Sequence, residues 1–140
     1  MDVRRLGPGD ETVVQELSRW VGRPPLDDES AKLFLANDRN HLLVAFEGEE
    51  PVGMVLGHEL DRRHGDARKM FLYEIDVRED QRRRGIGRAL MARFAELCRE
   101  RGHPVAWVLT DEKNPAAMEF YAACGGERVR PDQVMFSFRF

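Results

Sequence analysis

The pattern of apolar and polar positions predicts that the chain begins with a short strand and two helices. Residues 3–6 can form a short strand, and the turn sequence Gly-Pro-Gly that follows them is typical of a strand end. Apolar residues at near-helical spacing then predict a helix capped by Asp10, and Pro24-Pro25 ends it. A second short helix is predicted over residues 28–37.

The middle of the chain changes to the pattern of strands. Residues 42–46 and 51–57 are apolar runs separated by a polar turn, which predicts a hairpin. A polar loop over residues 61–69 leads to a third run over residues 71–77, which is aromatic and β-branched enough for a central strand. Two carboxylates, Glu74 and Asp76, lie inside that run.

Two helices and two strands are predicted after this run. The first helix starts near Ile86 and ends at Gly102, and a strand over residues 104–110 follows. Asn114-Pro115 is a favourable cap and first position for the second helix. Clean alternation over residues 134–140 predicts a final strand.

The predicted order β-α-α-β-β-β-α-β-α-β indicates an α/β (α+β) fold in which about four helices flank one mixed sheet. At 140 residues and 16.2 kDa, the chain has the usual size of one domain, so residues 1–140 are expected to form a single domain. The cofactor and the substrate must then share that domain.

Composition and charge narrow the function classes. The net charge is −3, yet residues 61–101 carry 12 Lys or Arg against 8 Asp or Glu, a balance that suits an anionic cofactor. The acidic net charge and the missing aromatic stacking motif argue against a nucleic-acid-binding protein. No apolar run is long enough for a membrane-spanning helix. A cytoplasmic protein is expected, since residues 1–8 lack the apolar core of a secretory signal.

Cysteines and histidines predict no metal or disulfide. Cys98 and Cys124 lie in predicted helices without a Cys-x-x-Cys pattern, so buried, reduced thiols are expected. The four histidines have no metal-ligand spacing, and we expect surface or packing roles for them. Those histidines are His41, His58, His64 and His103.

A glycine-containing turn joins the strand over residues 71–77 to the next helix. Such a turn leaves backbone N–H groups unpaired at the positive end of the helix dipole, where an anion is favoured. Gly85 and Gly87 let the backbone approach phosphate oxygens, and arginines at positions 82, 83, 84 and 88 add positive charge. The Gly-Lys-Ser/Thr ending of nucleotide triphosphatases and the third glycine of a Rossmann fingerprint are both missing.

Two motifs carry a resemblance to a known family. Val77 followed by Arg82-x-x-Gly85-x-Gly87-x-x-Leu90 resembles the acetyl-CoA signature of the GNAT superfamily of N-acetyltransferases. Residues 114–125, with Asn114-x-x-Ala117-x-x-Phe120-Tyr121 and then Gly125, resemble a later helix of that family. The Tyr73-Glu74 pair is similar to one in small bacterial aminoglycoside 3-N-acetyltransferases, with Glu where Asp is expected.

The resemblance implies a GNAT fold with a mostly antiparallel sheet, acetyl-CoA as cosubstrate and no metal. It implies that Ile75, Asp76 and Val77 line the cofactor, and that the backbone N–H of Val77 bonds the thioester or pantetheine arm. Amides of the turn would receive the pyrophosphate, and Asn114 would either touch the cofactor or simply cap its helix. The turn residues concerned are Arg82, Arg83, Arg84, Gly85, Ile86, Gly87 and Arg88.

Acetyl transfer to an amine assigns two further roles. Alkyl amines have pKa values near about 10 and need a base at neutral pH, for which Glu74 is the first candidate. By resemblance, Tyr121 protonates the departing thiolate; without it, Tyr121 reads as a packed aromatic. In a regular strand Tyr73 and Glu74 face opposite ways and Asp76 shares the face of Glu74, an arrangement that a bulge would change.

The acceptor stays open at this point. A small-molecule amine is expected, such as an aminoglycoside or another small cation, and peptide or protein amines are alternatives. A non-catalytic acyl-CoA-binding regulatory module is a competing interpretation. The sequence also leaves open whether the chain forms a homodimer.

Overall fold

Five strands form one sheet in the computed structural model, which describes residues 1–65 and 68–140. They are β1 (Asp2–Arg5), β2 (Asn40–Glu47), β3 (Glu50–Leu60), β4 (Lys69–Val77) and β5 (Ala106–Trp107). The spatial order follows the chain, and neighbours are antiparallel except for the parallel pair β4 and β5. The expected mixed, mostly antiparallel sheet is therefore confirmed.

The described residues also contain four α-helices, the number predicted. They are α1 (Glu11–Trp20), α2 (Asp28–Ala36), α3 (Ile86–Glu100) and α4 (Pro115–Ala123), and a 3-10 turn covers Glu79–Gln81. The chain divides into two compact units, Met1–Leu109 and Thr110–Phe140, and α4 belongs to the second. Cys98 is buried in α3, and Cys124 is half-buried just after α4.

Two predicted strands differ from the structure. The strand expected over residues 104–110 is only Ala106–Trp107, and residues 134–140 form no strand. Within residues 110–140, all of which the structure describes, no neighbouring strand offers backbone hydrogen bonds, and Phe136 and Phe138 are both 78% exposed. Alternation gives a segment two faces, but only a pairing partner makes it a strand. The predicted loop over residues 61–69 includes positions 66 and 67, which lie outside the described residues.

Helix α3 lies along one face of the sheet and builds the larger core. Ile86, Leu90, Phe94 and Leu97 repeat at helical spacing and are almost fully buried. Their partners are apolar residues of the first four strands on the same face. The strand residues in this cluster are Leu43, Ala45, Val52, Val55, Met70 and Leu72, with Val3, Ile75 and Val77 at its edge.

Two glycines of β3 allow α3 to approach the sheet closely. A Cβ at Gly53 would lie 2.8 Å from Ile86 Cγ2, and a Cβ at Gly57 would lie 2.5 Å from Phe94 Cε2. Both separations are shorter than van der Waals contact, so the helix could not hold this position against larger residues. The glycines therefore determine how closely α3 packs against β3, including at the N-terminal residue Ile86.

Helices α1 and α2 cover only part of the opposite face. Their buried residues Val14, Leu17 and Leu35 form a second cluster with side chains from β2 and β3. Among the described residues, no side chain from β4 takes part in this cluster. This face of β4 is therefore uncovered by the two helices, and Tyr73 on it is 59% exposed.

A buried ion-pair network fixes the far end of α3. The Glu59 side chain on β3 is only 3% exposed, and its Oε1 lies 2.7 Å from His41 Nε2 and 2.6 Å from Arg101 Nε. Burial acts to raise the pKa of Glu59, but the hydrogen bonds from Arg101 and His41 outweigh it and lower the pKa to about 2. Glu59 is thus ionised and joins β3, β2 and the residue that follows α3.

We expect Glu59→Gln to lower the free energy of unfolding by about 3 kcal/mol at pH 7, because Arg101 would keep a partly buried charge with only the exposed Asp38, 3.6 Å away, as its ionic partner. A carboxylate whose pKa is lowered in the folded protein stabilises the fold fully at pH values above its ordinary pKa of 4.5. This contribution is lost as the pH falls towards the folded-state pKa of about 2. Urea unfolding at pH 7 and pH 3 measures both effects.

The matched control is Glu100→Gln, since Glu100 pairs with Arg93 on the surface, where its side chain is 57% exposed. Such a pair contributes at most about 1 kcal/mol. Equal losses in the two variants at pH 7 would contradict a special role for the buried network.

Candidate functional site

A β-bulge in β4 places the first site residues. Leu56 of β3 lies opposite Glu74, but the next residue, Gly57, lies opposite Leu72. Tyr73 is therefore an extra residue with no direct partner on β3. The sequence itself carries the signal, because the core-facing residues of β4 are Met70 and Leu72 before the bulge and Ile75 and Val77 after it.

The extra residue changes which way the carboxylates face. Without it, Glu74 and Asp76 would share the core side with Met70 and Leu72. With it, they lie on the uncovered face of β4, and Tyr73 and Glu74 are both exposed. The β-bulge is thus present, and Tyr73 and Glu74 do not face opposite sides as they would in a regular strand.

Glu74 has an environment suited to a base. Its pKa is raised, first because the surrounding protein removes part of its water and second because of the negative charge on Asp76. A carboxylate with a raised pKa accepts a proton more readily than an ordinary one. Its side chain is nevertheless exposed to solvent on the uncovered face of β4.

The backbone of Val77 is engaged by two side chains. Its N–H donates to Asp76 Oδ1 at 2.8 Å, and its carbonyl accepts from Arg82 Nε at 3.0 Å. Arg82 Nη2 lies 3.6 Å from the same Asp76 oxygen, which closes a small ring of contacts. Asp76 and Arg82 thus satisfy the backbone N–H and carbonyl groups at this edge of β4, beside Ile75. Strand β5 provides no hydrogen-bond partner here, because it pairs only with Met70 and Phe71.

The turn before α3 has the backbone shape of an anion site. Arg83 and Gly85 have φ values of 66° and 83°, so the chain twice enters the left-handed region before the helix begins at Ile86. Gly85 occupies the cap position without a side-chain cap, and the first turn of α3 contains no acidic residue. The first N–H groups of the helix, from Ile86 to Arg88, are free to meet an anion.

The four arginines of the turn differ in their partners. Arg82 is held by Val77 and Asp76, and Arg84 pairs with Glu47 at 2.8 Å and with Gln81. Arg83 and Arg88 are exposed and form no ion pair within the described part of the chain. The sequence could not distinguish these two pairs, because residue type and spacing do not show which arginine side chain turns back to β4 and which reaches the distant Glu47.

Two further predicted residues lie on α4 in the second unit. Asn114 Oδ1 accepts a hydrogen bond from the Ala117 N–H at 3.1 Å, which is the expected helix cap. Tyr121 is half-buried with its ring edge against Phe120, and burial together with Cys124 raises the pKa of its phenol. The phenol therefore keeps its proton at neutral pH and can donate it.

The first unit thus joins Glu74, Ile75, Asp76 and Val77 to the turn over residues 82–88, and the second unit carries Asn114 and Tyr121. Residues 1–65 and 68–140 contain no group of three or more His, Cys, Asp or Glu side chains arranged to hold a metal ion. In the same ranges, no helix is both long and apolar enough to cross a membrane.

Comparison with known proteins gives a family match over most of the chain. Residues 12–125 match the Acetyltransferase (GNAT) family. A segment of 61 residues is 41% identical to an uncharacterized N-acetyltransferase, YuaI, of Bacillus subtilis, and covers 44% of this chain. The match spans only 35% of the length of that relative.

Solved structures show the same fold. An aminoglycoside acetyltransferase from an uncultured soil metagenomic sample has a TM-score of 0.86 and 25% identity, with 99% of this chain and 97% of that chain covered. A ribosomal-protein-alanine N-acetyltransferase from Brucella melitensis has a TM-score of 0.77 and 21% identity, with both chains fully covered at 100%. An aminoglycoside N-acetyltransferase in complex with CoA has a TM-score of 0.79 and 18% identity, with 99% of each chain covered.

We expect Gly85→Asp to weaken CoA binding at least about tenfold, because a carboxylate opposes the anion at the helix N-terminus and a side chain strains the left-handed backbone. A Cβ at Gly85 meets no atom within 4 Å, so the protein itself has room for the change. Isothermal titration calorimetry with CoA measures the loss.

The control is Gly48→Asp, which places the same residue at a positive φ of 62° in the turn between β2 and β3. It carries similar backbone strain away from the turn over residues 82–88. Equal CoA affinity for wild type and Gly85→Asp would remove the turn from the cofactor site.

Proposed function

The chain belongs to the acetyltransferase (GNAT) family, the class of acetyl-CoA-dependent N-acetyltransferases, and on this premise we propose that it acetylates a primary amine of a small cationic molecule. The observation that carries the proposal is the bulge at Tyr73, which turns Glu74 to an open sheet face within the same unit as the anion-binding turn. Strand β4 therefore carries the proposed base, and the proposed cofactor-binding turn follows it in the chain.

The cofactor site is assigned to β4 and the turn. Backbone N–H groups over residues 82–88 bind the pyrophosphate, and Arg83 and Arg88 add charge that no protein carboxylate already neutralises within the described residues. The Val77 N–H, beside Ile75, bonds the thioester or pantetheine arm. Asp76 must give up its 2.8 Å bond to that N–H when the arm binds. Asn114 remains primarily a helix cap.

Glu74 acts as the base for the acceptor. Acetyl-CoA supplies an activated thioester carbonyl when bound. The Glu74 carboxylate takes one proton from the acceptor ammonium, directly or through a water, so that the neutral amine can form the new N–C bond. The C–S bond then breaks, and Tyr121 donates its phenolic proton to the thiolate that leaves. The amide product loses its remaining extra proton to solvent.

Small cationic amines are the preferred acceptor class. The open face beside Glu74 and Asp76 carries negative charge, which attracts ammonium groups. Two structural neighbours are aminoglycoside acetyltransferases, which supports an aminoglycoside or a related amine. A third neighbour is a ribosomal-protein-alanine N-acetyltransferase, so a peptide amine is the alternative within the same chemistry. A cytoplasmic location and a homodimer remain predictions.

An assay of free CoA thiol with an amine panel tests the proposal. The panel contains aminoglycosides, linear polyamines and peptides with N-terminal alanine. Release with the small amines is the expected result. Tight acetyl-CoA binding without release on any amine would favour the competing interpretation, a non-catalytic acyl-CoA-binding regulatory module.

Glu74→Gln is expected to lower kcat at least about 100-fold, because the amide cannot accept the proton. The raised pKa of Glu74 also places the acidic limb of the wild-type kcat profile above the pH range of an ordinary glutamate. That limb should disappear in the variant. Initial rates from pH 5 to pH 9 measure both effects.

Glu79→Gln is the matched control, since Glu79 is an exposed carboxylate five residues further along the chain. Its kcat and pH profile should equal those of wild type. If Glu74→Gln keeps the wild-type acidic limb, another group is the base.

Tyr121→Phe is expected to lower kcat about tenfold or more with little change in acetyl-CoA affinity, since only the hydroxyl is lost and the ring still packs on Phe120. Stopped-flow turnover and calorimetry separate the two quantities. Tyr121→Leu serves as the packing control, because it removes both ring and hydroxyl. A parallel loss of affinity and turnover in Tyr121→Phe would identify a packing residue instead.

A further inference from the structure

A row of aromatic side chains crosses the open sheet face beside Glu74. His58 of β3 contacts Tyr73 edge to face at 5.5 Å, Tyr73 contacts Phe71 at 6.0 Å, and Phe71 stacks on Trp107 of β5 at 4.1 Å between centroids. We call these four residues the aromatic row. It spans three neighbouring strands on the face that α1 and α2 leave uncovered.

His58 has a fixed hydrogen-bonding arrangement. The Asn40 side-chain N–H donates to the Phe34 carbonyl at 3.0 Å, which turns the amide oxygen of Asn40 towards His58 Nδ1 at 2.9 Å. An amide oxygen only accepts, so Nδ1 must carry the hydrogen and Nε2 presents a lone pair. Within residues 1–65 and 68–140, no side chain or backbone group bonds to Nε2.

The charge state agrees with this geometry. Partial burial lowers the pKa of His58, which favours the neutral ring at pH 7. A neutral ring does not repel a cationic acceptor. Its lone pair can accept a hydrogen bond from an ammonium or hydroxyl group instead.

The distance between the aromatic row and Glu74 allows one acceptor molecule to contact both with two of its amino groups. Leu56 lies opposite Glu74 and His58 lies opposite Phe71, so His58 is two residues along β3 from the position facing the base. Two strand residues span about 7 Å. A molecule with two amino groups at about this separation can present one to Glu74 and the other to the row.

We propose that the aromatic row recognises a second ammonium group of the acceptor, with His58 Nε2 accepting its hydrogen bond and the Tyr73 ring contacting it by a cation–π interaction. The inference rests on the proposed acetyltransferase function and narrows its acceptors to molecules with at least two amines. Asn40 is a positioning residue, since it acts only through the tautomer of His58. A cation–π contact and a charge-assisted hydrogen bond are each strong enough to set such a preference.

The test compares a linear five-carbon diamine with the five-carbon monoamine. In wild type, the KM of the diamine should be at least tenfold lower than that of the monoamine. His58→Phe keeps a ring but removes Nε2, and Tyr73→Ala removes the ring face. Each variant should raise the diamine KM at least fivefold while the monoamine KM and the acetyl-CoA KM stay unchanged. Asn40→Leu should act in the same direction.

Tyr73→Phe retains the ring and should keep the diamine preference, which separates recognition from misfolding. His64→Phe is the matched control, because His64 is an exposed histidine outside the row. Equal KM values for diamine and monoamine in wild type, or an unchanged preference in His58→Phe and Tyr73→Ala, would overturn the inference while leaving acetyl transfer intact. A lower KM for an alanine-initiated peptide than for the diamine would also overturn it.

Calorimetry with the diamine in the presence of CoA separates the two proposals. Weaker diamine binding by His58→Phe than by wild type supports the row even if no amine is acetylated, in which case only the catalytic proposal fails. Equal binding by both proteins overturns the inference whatever the turnover.

Discussion

The single extra residue at Tyr73 is the constraint on which the site depends. Strand β4 must bury apolar side chains against α3 along its whole length, and it does so with Met70 and Leu72 before the bulge and with Ile75 and Val77 after it. A regular strand with these residues would have turned one of the two apolar pairs away from the core. The bulge keeps both pairs buried and, as a direct consequence, turns the charged residues between them outward.

The position of α3 places an anion-binding turn at the end of this strand. Gly53 and Gly57 let the helix lie close to β3, and the Glu59 network holds its far end. The helix N-terminus is therefore fixed next to the end of β4, and the turn that joins them must reverse within a few residues. Left-handed conformations at Arg83 and Gly85 accomplish that reversal and expose N–H groups at the same time.

Much of the fold was predictable because local sequence patterns determine most of its helices and strands. Periodicity identified four helices and four of the five strands to within a few residues, and the cap at Asn114 followed from residue type. The final strand was predicted wrongly because alternation says nothing about a pairing partner. The motif over residues 82–88 located the turn, but ion pairs such as Arg84 with Glu47 join positions distant in sequence. The histidines illustrate the same limit, since His58 acquires its significance from Asn40 and Tyr73 across neighbouring strands.

The hydrogen bonds at the edge of β4 explain how this strand can be stable without a ligand and still able to bind one. An unpaired N–H at Val77 would carry a free-energy cost if it were left without a partner, and Asp76 provides one from the adjacent position. Arg82 balances the charge of that carboxylate and bonds the Val77 carbonyl. A ligand that approaches this edge therefore exchanges hydrogen bonds with the protein and meets no unsatisfied group. Because Asp76 and Glu74 face the same side, release of Asp76 from Val77 also changes the electrostatic field at Glu74, so ligand binding at this edge and proton acceptance by Glu74 are physically linked along β4.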